Sequence, residues 1–377
     1  MRIAYGIHGY GRGHAGRALA VLAELTKRHE VLLLSGGDAV GLMADFRVVR
    51  IPVLSFQYRG PRLSALQTIA KNASLLSSIA LGDGPVAEVA AVLRRFQPDA
   101  VVSDSEPLVL HAAHRLGIPR VGLDHVGIVS WCRPAAPPAD AIQLARDGAV
   151  YRLLMGCPER VIVSSFFDAP PRATRVTVVS PILRERVLRA ERHAGKHLLV
   201  YFNQPRRLTP QVLAELVQLG LPTIVYGAGG PGRERGVVFK RIDEQSFVED
   251  LAGCRAVFST AGHQLASEAL YLGKPMLLCP EDSAEQRLNA RELVRLGAAC
   301  CLDPRGIQRG AVKACLEAAE VRPAPGPALT ENGTGNGPAL AVLEASLRAV
   351  VGGAGRAGRA WPDGPQPRGT SVTLAAD

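Results

Sequence analysis

The sequence predicts an α/β protein made of two doubly wound domains that face each other across a cleft. Along the first 180 residues, short apolar runs alternate with amphipathic stretches. The alternation stops in a charged segment at 181–196 and restarts at His197 with HLLVYF. Such alternation implies parallel strands with helices on both faces. A length of 377 residues suits two or three domains and a sizeable core.

In the first half, residues 2–7, 30–34, 47–51, 99–103, 119–123 and 160–164 read as short buried strands. Between them lie helix-like segments such as AGRALAVLAELTKR and PVAEVAAVLRRF. Residues 1–180 therefore form one domain and 181–196 a linker. In the second half, residues 197–202, 222–226, 237–240, 255–258, 275–279 and 298–302 carry the same strand signal, which makes 197–322 the second domain. From Pro323 to Pro338 eight of sixteen residues are Gly or Pro, a loop composition, after which ALAVLEASLRAV at 339–350 can return as a helix. The stretch 323–351 is thus a loop and return helix. Residues 352–377 hold nine Gly or Pro in 26 with almost no apolar pattern, the composition of a disordered tail.

Hydrophobic residues at 47% and charged residues at 21% exclude a mostly disordered body. No apolar run reaches the roughly 18 residues of a membrane span, and Met1 and Arg2 lead straight into IAYGI without a basic leader segment, so a cytoplasmic protein is expected. Seven scattered cysteines without a CxxC pair support neither a disulfide frame nor a zinc site and read as reduced core residues. The net charge of +10 rests almost wholly on arginine, since only six lysines are present. No basic run interleaved with aromatics occurs, so no nucleic-acid partner is expected, whereas an anionic small substrate such as a diphosphate stays open.

Chemistry concentrates at two places. HGYGRGHAGR, residues 8–17, lies between the first strand and the first helix, where Gly11 and Gly13 allow close backbone approach to a ligand. GRGHAG is formally GxGxxG, but its first glycine comes too late after the strand, and no acidic residue closes the second strand, so a dinucleotide fold is disfavoured. His14 opens the helix at the cleft, as a proton acceptor for a substrate hydroxyl, a phosphate contact or an ordinary helix residue. Asp104 follows the fourth strand on the same rim, either to orient His14 or to cap the next helix from Ser105. The second place runs from Val257 to Ala290. A strand turns through Thr260 and Gly262 into a helix whose free N–H groups suit a diphosphate, with Glu268 on that helix and Glu285 and Gln286 after Pro280.

This second stretch resembles the nucleotide-sugar box of GT-B glycosyltransferases, in which two Rossmann-like domains face across a cleft. In the plant and bacterial UDP-sugar transferases a glycine precedes a ribose-binding Glu by six, as Gly262 precedes Glu268. A Gly, Pro and Pro then follow that Glu at five, seven and twelve, as Gly273, Pro275 and Pro280 do here. The box closes with an acidic residue, Gln and an NA pair, matched by Glu285, Gln286, Asn289 and Ala290 with one residue inserted. RGHAGRALAVLAEL looks like the glycine-rich loop of the peptidoglycan N-acetylglucosaminyltransferase, whose His falls on His14. A His and Asp pair of the plant enzymes carries over to His14 and Asp104, and the loop that approaches the diphosphate to Asn203 and Gln204. The chain departs from the plant box at Thr260, Gln264 and Leu265, so diphosphate contacts pass to His263, Gln264 or backbone N–H groups.

The resemblance implies an inverting hexosyltransferase, independent of metal, with no cofactor beyond its donor. It would move a sugar from a nucleotide-sugar donor, a UDP-sugar by family expectation, to a small-molecule or lipid acceptor. The first domain would bind that acceptor near residues 52–80 and 124–140, where Phe56, Tyr58 and Trp131 could stack on it. A lipid acceptor would add peripheral contact with a membrane. Two other readings share the fold and donor: a nucleotide-sugar 2-epimerase, and a non-catalytic nucleotide-sugar-binding protein.

Overall fold

The structure, a computed structural model, describes residues 1–353 apart from 56, 60, 61, 64, 194, 229, 304, 305 and 322–335. The tail from 354 and the loop at 322–335, both singled out by composition, lie outside the described residues, as does Phe56.

The amino-terminal half is built on β1 (Arg2–Ile7), β2 (Glu30–Ser35) and β3 (Val48–Arg50), then a small hairpin of β4 (Tyr58–Arg59) and β5 (Arg62–Leu63). It continues with β6 (Ala100–Asp104), β7 (Arg120–Asp124), β8 (Arg160–Ser164) and β9 (Val176–Val179). Seven of these strands form one sheet, ordered β3-β2-β1-β6-β7-β8-β9, and all its pairings are parallel. Period-two alternation sends Ile3, Tyr5 and Ile7 to one core and Ala4 to the other, so both faces are covered by helices.

The second sheet uses β10 (His197–Tyr201), β11 (Thr223–Tyr226), β12 (Gly232–Glu234), β13 (Val237–Lys240), β14 (Cys254–Ser259), β15 (Met276–Leu278) and β16 (Ala299–Cys301). Its order is β12-β13-β11-β10-β14-β15-β16, parallel except for the antiparallel edge strand β12. Both sheets reverse strand order beside their first strand, the position where open α/β sheets bind ligands.

Twelve strands stand where the apolar runs put them, within a residue or so at each end. The hairpin, β9 and β12 were not expected. Gly232–Glu234 is fully exposed and carries no apolar signature, because an edge strand needs only backbone pairing. The segment 181–196, read as a linker without a strand signal, holds no strand among its described residues and a one-turn helix at Glu185–Arg189. The return helix spans Gly337–Gly353 and buries Leu343, Leu347 and Val350 against the first sheet's core, so this helix packs on the domain where the chain began.

Not all the cysteines are core residues: Cys157 and Cys301 are exposed and Cys300 is half-buried, while Cys132, Cys254, Cys279 and Cys315 are buried and all seven are free. Among the described residues no single helix is long and apolar enough to cross a membrane. One apolar cluster is shared by the two halves, with Ile128, Trp131 and Phe166 packed together with Val257, Leu265 and Leu288. The two halves therefore share one apolar core.

Candidate active site

Parallel pairing sets Ile7 opposite Asp104, so the loop leaving β1 and the end of β6 share one rim. The loop is pinned there from both sides. The N–H of His8 donates to the Asp104 carbonyl at 2.9 Å, and that of Asp38 to the Gly9 carbonyl at 2.9 Å. Gly9 passes so close to the next loop that a Cβ on it would stand 2.0 Å from the Gly36 carbonyl oxygen. Gly11, at φ +76°, then turns the chain into the helix Gly13–Leu25.

His14 lies in the first turn of that helix, its Nδ1 2.7 Å from Oδ1 of Asp104. Asp104 is fully buried and the His14 side chain is 19% exposed. Arg17, three residues on and on the same helix face, grips the same carboxylate with a fork, Nε to Oδ2 at 2.8 Å and Nη2 to Oδ1 at 2.6 Å. Burial alone would push the Asp104 carboxyl up, but Arg17 and His14 hold it below the usual carboxylate range. The capping alternative for Asp104 falls away: Glu106 caps the helix Pro107–Arg115, accepting from the N–H groups of Leu108 and Val109. Burial pushes Glu106 up to about 7.

Other titratable groups surround the pair. The His8 ring meets His14 edge-on at 5.3 Å, and burial together with His14 pushes it down to about 3. At the end of β7, Asp124 accepts from the N–H of Gly127 at 2.6 Å and from the Tyr151 hydroxyl at 2.7 Å. Burial and Asp104 raise it. His125 bridges to the other domain, with Nδ1 2.8 Å from the Ser164 carbonyl and Nε2 2.9 Å from the Asn289 side-chain oxygen. Its ring stacks on His263 at 3.7 Å and 12°, and burial pushes His125 down to about 4 and His263 well below the usual histidine value.

The second domain faces this rim with the turn after β14. Thr260 is buried, Ala261 sits at φ +69°, and Gly262 caps the helix His263–Tyr271 with open space where a Cβ would be. A Cβ on Gly13 would lie 3.4 Å from the Gln264 Cβ, so the amino ends of the two helices converge across the cleft. Two converging N-termini present unpaired N–H groups and partial positive charge to an anion. After β10, Gln204 donates to the Tyr10 hydroxyl at 2.9 Å and so crosses the cleft, while Asn203 accepts from Tyr201 at 2.7 Å.

Three expected roles need correction. The Glu268 carboxylate is fully buried and held by a fork from Arg184, at 2.8 and 2.5 Å, with Gln264 donating at 3.0 Å, so it is not presented to the cleft. A ribose could reach it only by displacing the Arg184 guanidinium. Glu285 and Gln286 lie on the first turn of the helix Ala284–Arg295 and not in the preceding loop. The Gln286 side chain turns back to accept from the N–H of Glu281 at 3.0 Å, which braces the loop. Glu285 does face the rim, accepting from Asn289 at 2.5 Å with its Oε1 3.5 Å from Nε2 of His125, and burial pushes it up to about 7. Trp131 is 5% exposed within the shared core and covered by Arg175, so it is no stacking surface for an acceptor.

Arg17, Arg184 and Tyr10 belong to the site without having been singled out as site residues. Arg17 had a signal in the spacing HxxR, which puts both side chains on one helix face. Arg184 had none, because its partner lies 84 residues away.

Comparison with known proteins agrees with this architecture. The model described as glycosyl transferase family 1 matches residues 1–319. A curated protein of Methanosarcina acetivorans, described as an uncharacterized glycosyltransferase, is 26% identical over 318 residues, covering 77% of this chain and 82% of its own. Among solved structures, the calicheamicin glycosyltransferase CalG4 matches with a TM-score of 0.60 at 18% identity, covering 93% of this chain and 99% of its own. Acinetobacter baumannii MurG matches at 0.53 and 15%, covering 91% and 99%. Phytolacca americana UGT2, complexed with UDP-2fluoro-glucose and pterostilbene, matches at 0.58 and 16%, covering 92% and 98%. At these identities the solved structures speak for the fold, which is the GT-B arrangement, and the family match settles the rest: the chain belongs to glycosyl transferase family 1 and is a glycosyltransferase.

Proposed function

We propose that the enzyme transfers a hexose from a nucleotide diphosphate sugar, a UDP-sugar, to a hydroxyl of a small-molecule or lipid acceptor, with inversion and with no metal or other cofactor. The observation that carries this reading is the His14–Asp104 pair beside the converging helix N-termini. At 2.7 Å the two facing atoms cannot both offer lone pairs, so Nδ1 of His14 donates to Asp104 and Nε2 is left for the acceptor. Among the described residues, no hydrogen bond engages Nε2.

In this mechanism Nε2 takes the acceptor proton as the acceptor oxygen attacks the anomeric carbon. The bond from that carbon to the phosphate oxygen breaks, and the nucleoside diphosphate leaves toward the N-terminus at Gly262 and His263. One displacement inverts the anomeric centre. Thr260, Gly262, His263 and Gln264 would line the diphosphate, with Gly11, Gly13, Asn203 and Gln204 on the facing loops, and Glu285 would meet the sugar. Glu268 is kept as a donor contact only where Arg184 yields to the ribose. The reading places the enzyme in the cytoplasm, with membrane contact where the acceptor is a lipid.

A screen of UDP-sugars for hydrolysis, followed by acceptor pools and assignment of the product anomer by its proton coupling, tests the proposal. An inverted glycoside that disappears in His14→Ala supports it. Retention of configuration would sink the single displacement. Conversion of UDP-N-acetylglucosamine without any acceptor would move the enzyme to the epimerase class.

A further inference from the structure

Arg17 stands where the His14–Asp104 pair by itself does not need it. The helix Gly13–Leu25 carries both His14 and Arg17 toward the end of β6, and the Arg17 side chain is only 3% exposed. Two hydrogens converge on Oδ1 of Asp104, one from Nδ1 of His14 at 2.7 Å and one from Nη2 of Arg17 at 2.6 Å. Nη2 is also 3.2 Å from Nδ1. Both nitrogens donate to the shared oxygen, so that contact is a crossing of two donors and not a bond between them.

Resting on the assignment of His14 as base, we propose that Arg17 is its positioning residue: by keeping Asp104 an anion turned toward Nδ1, it keeps Nε2 of His14 free of a proton. The carboxylate has no exposure to water, and burial is the largest influence on it, opposed chiefly by Arg17. Without the guanidinium the buried carboxylate loses its main counter-charge, and two outcomes are favoured. Either Asp104 takes up a proton and donates its O–H to Nδ1, which drives the imidazole proton to Nε2, or Asp104 stays charged and holds an imidazolium. Both put a proton on the nitrogen that must accept one.

The other groups facing the cluster do not substitute for Arg17. His8 is neutral near pH 7, Asp124 and Tyr5 are acids engaged with the same cluster, and His125 and His263 are held neutral by burial. Asp104 itself also influences Tyr5 and Asp124.

Nitrogen-15 correlation spectra of the full-length protein with labelled histidine test this without any substrate, using His14→Gln to assign the ring. The wild type should show Nδ1 protonated and Nε2 bare. In Arg17→Gln the Nε2 resonance should move to the protonated position at the same pH, while Arg17→Lys, which keeps a cation on Asp104, should leave it bare. A folded Arg17→Gln in which Nε2 stays bare overturns the proposal. If that variant fails to fold, a proton on Nε2 of neutral His14 in the wild type, or in Arg17→Lys, overturns it equally. Failure of the base assignment looks different, because His14→Gln would then keep its transfer rate whatever the spectra show.

Discussion

At the scale of single residues, the site is an arrangement of buried charges, and each charge has a measurable consequence. His14→Ala should lower transfer by roughly 10²-fold to 10⁴-fold, the usual worth of a general base, with little change in UDP affinity. Asp104→Asn should cost less. Steady-state rates with calorimetry on UDP check both, and near wild-type turnover in His14→Ala would move the base to His8 or His125. Glu268→Ala carries a different expectation now that Arg184 is known to fill it. The substitution leaves a mostly buried guanidinium without its fork, so stability should fall by roughly 3 to 5 kcal/mol, far more than a ribose contact would explain. Urea unfolding measures this, and an unchanged midpoint would mean that Arg184 finds water or another carboxylate.

His8, His125 and His263 are all held neutral by burial, below the ordinary histidine value. Their folded-state values are depressed, so the unfolded chain binds the extra protons. Stability from these groups is therefore complete above about pH 6.5 and is lost as pH falls below it, down toward 4 and 3. Glu106 and Glu285, pushed up to about 7 by burial, take up protons in the fold over the same range and oppose that loss, so the histidine contribution is read as a difference: His263→Phe, which keeps the stack on His125, should lose less stability than the wild type between pH 7.5 and pH 5. Equal losses in the two proteins would contradict the burial of the His263 ring.

At the scale of elements, the positions of loops matter more than their composition. The loop after β1 holds His14 in place because Gly9 lets it press on Gly36, where a Cβ would meet backbone oxygen at 2.0 Å. Gly9→Ala should cost roughly 1 to 3 kcal/mol of stability and lower transfer further than it lowers UDP binding, because a displaced loop misaligns the base. Chemical unfolding and kinetics on the same preparation read both effects. Equal stability would show that the two loops can separate without loss. Most of the segment 257–290 was legible at this scale: strand, turn, helix and strand stand where the glycines and prolines put them, whereas the helix Ala284–Arg295 begins where a loop was expected. Which way each side chain on those elements points was not legible. Gln286 and Glu285 are neighbours in sequence, yet one braces its own loop and the other faces His125.

At the scale of the whole molecule, the two domains are joined by more than the linker. Asn289 meets His125, Arg287 reaches Asp140 at 3.0 Å, Gln204 meets Tyr10, and the shared apolar cluster runs beneath them. The return helix adds Leu343, Leu347 and Val350 to the first domain's core. Ending the chain at residue 335 should therefore destabilise it by several kcal/mol, at roughly 1.5 to 3 kcal/mol for each large apolar side chain re-exposed. Ending it at 353 should leave the melting temperature unchanged, as the Gly- and Pro-rich composition beyond that point implies. Melting curves of the two truncations decide this, and equal curves would refute the packing role of the helix.

Local pattern determined the alternation of strands and helices, the glycine-flexed turn before His14 and the spacing of the box around Gly262 and Glu268. Those features depend on backbone periodicity and on residues a few positions apart, which is the range over which a sequence is directly readable. Tertiary structure alone decided that Asp104 serves His14 and Arg17 instead of a helix end, that Arg184 occupies Glu268, and that Trp131 is buried in a core common to both domains. Each of these pairs residues roughly 80 or more positions apart or on different elements. Such pairings are set by parallel register and by the need of every buried charge for a partner, conditions that exist only once the sheets have formed.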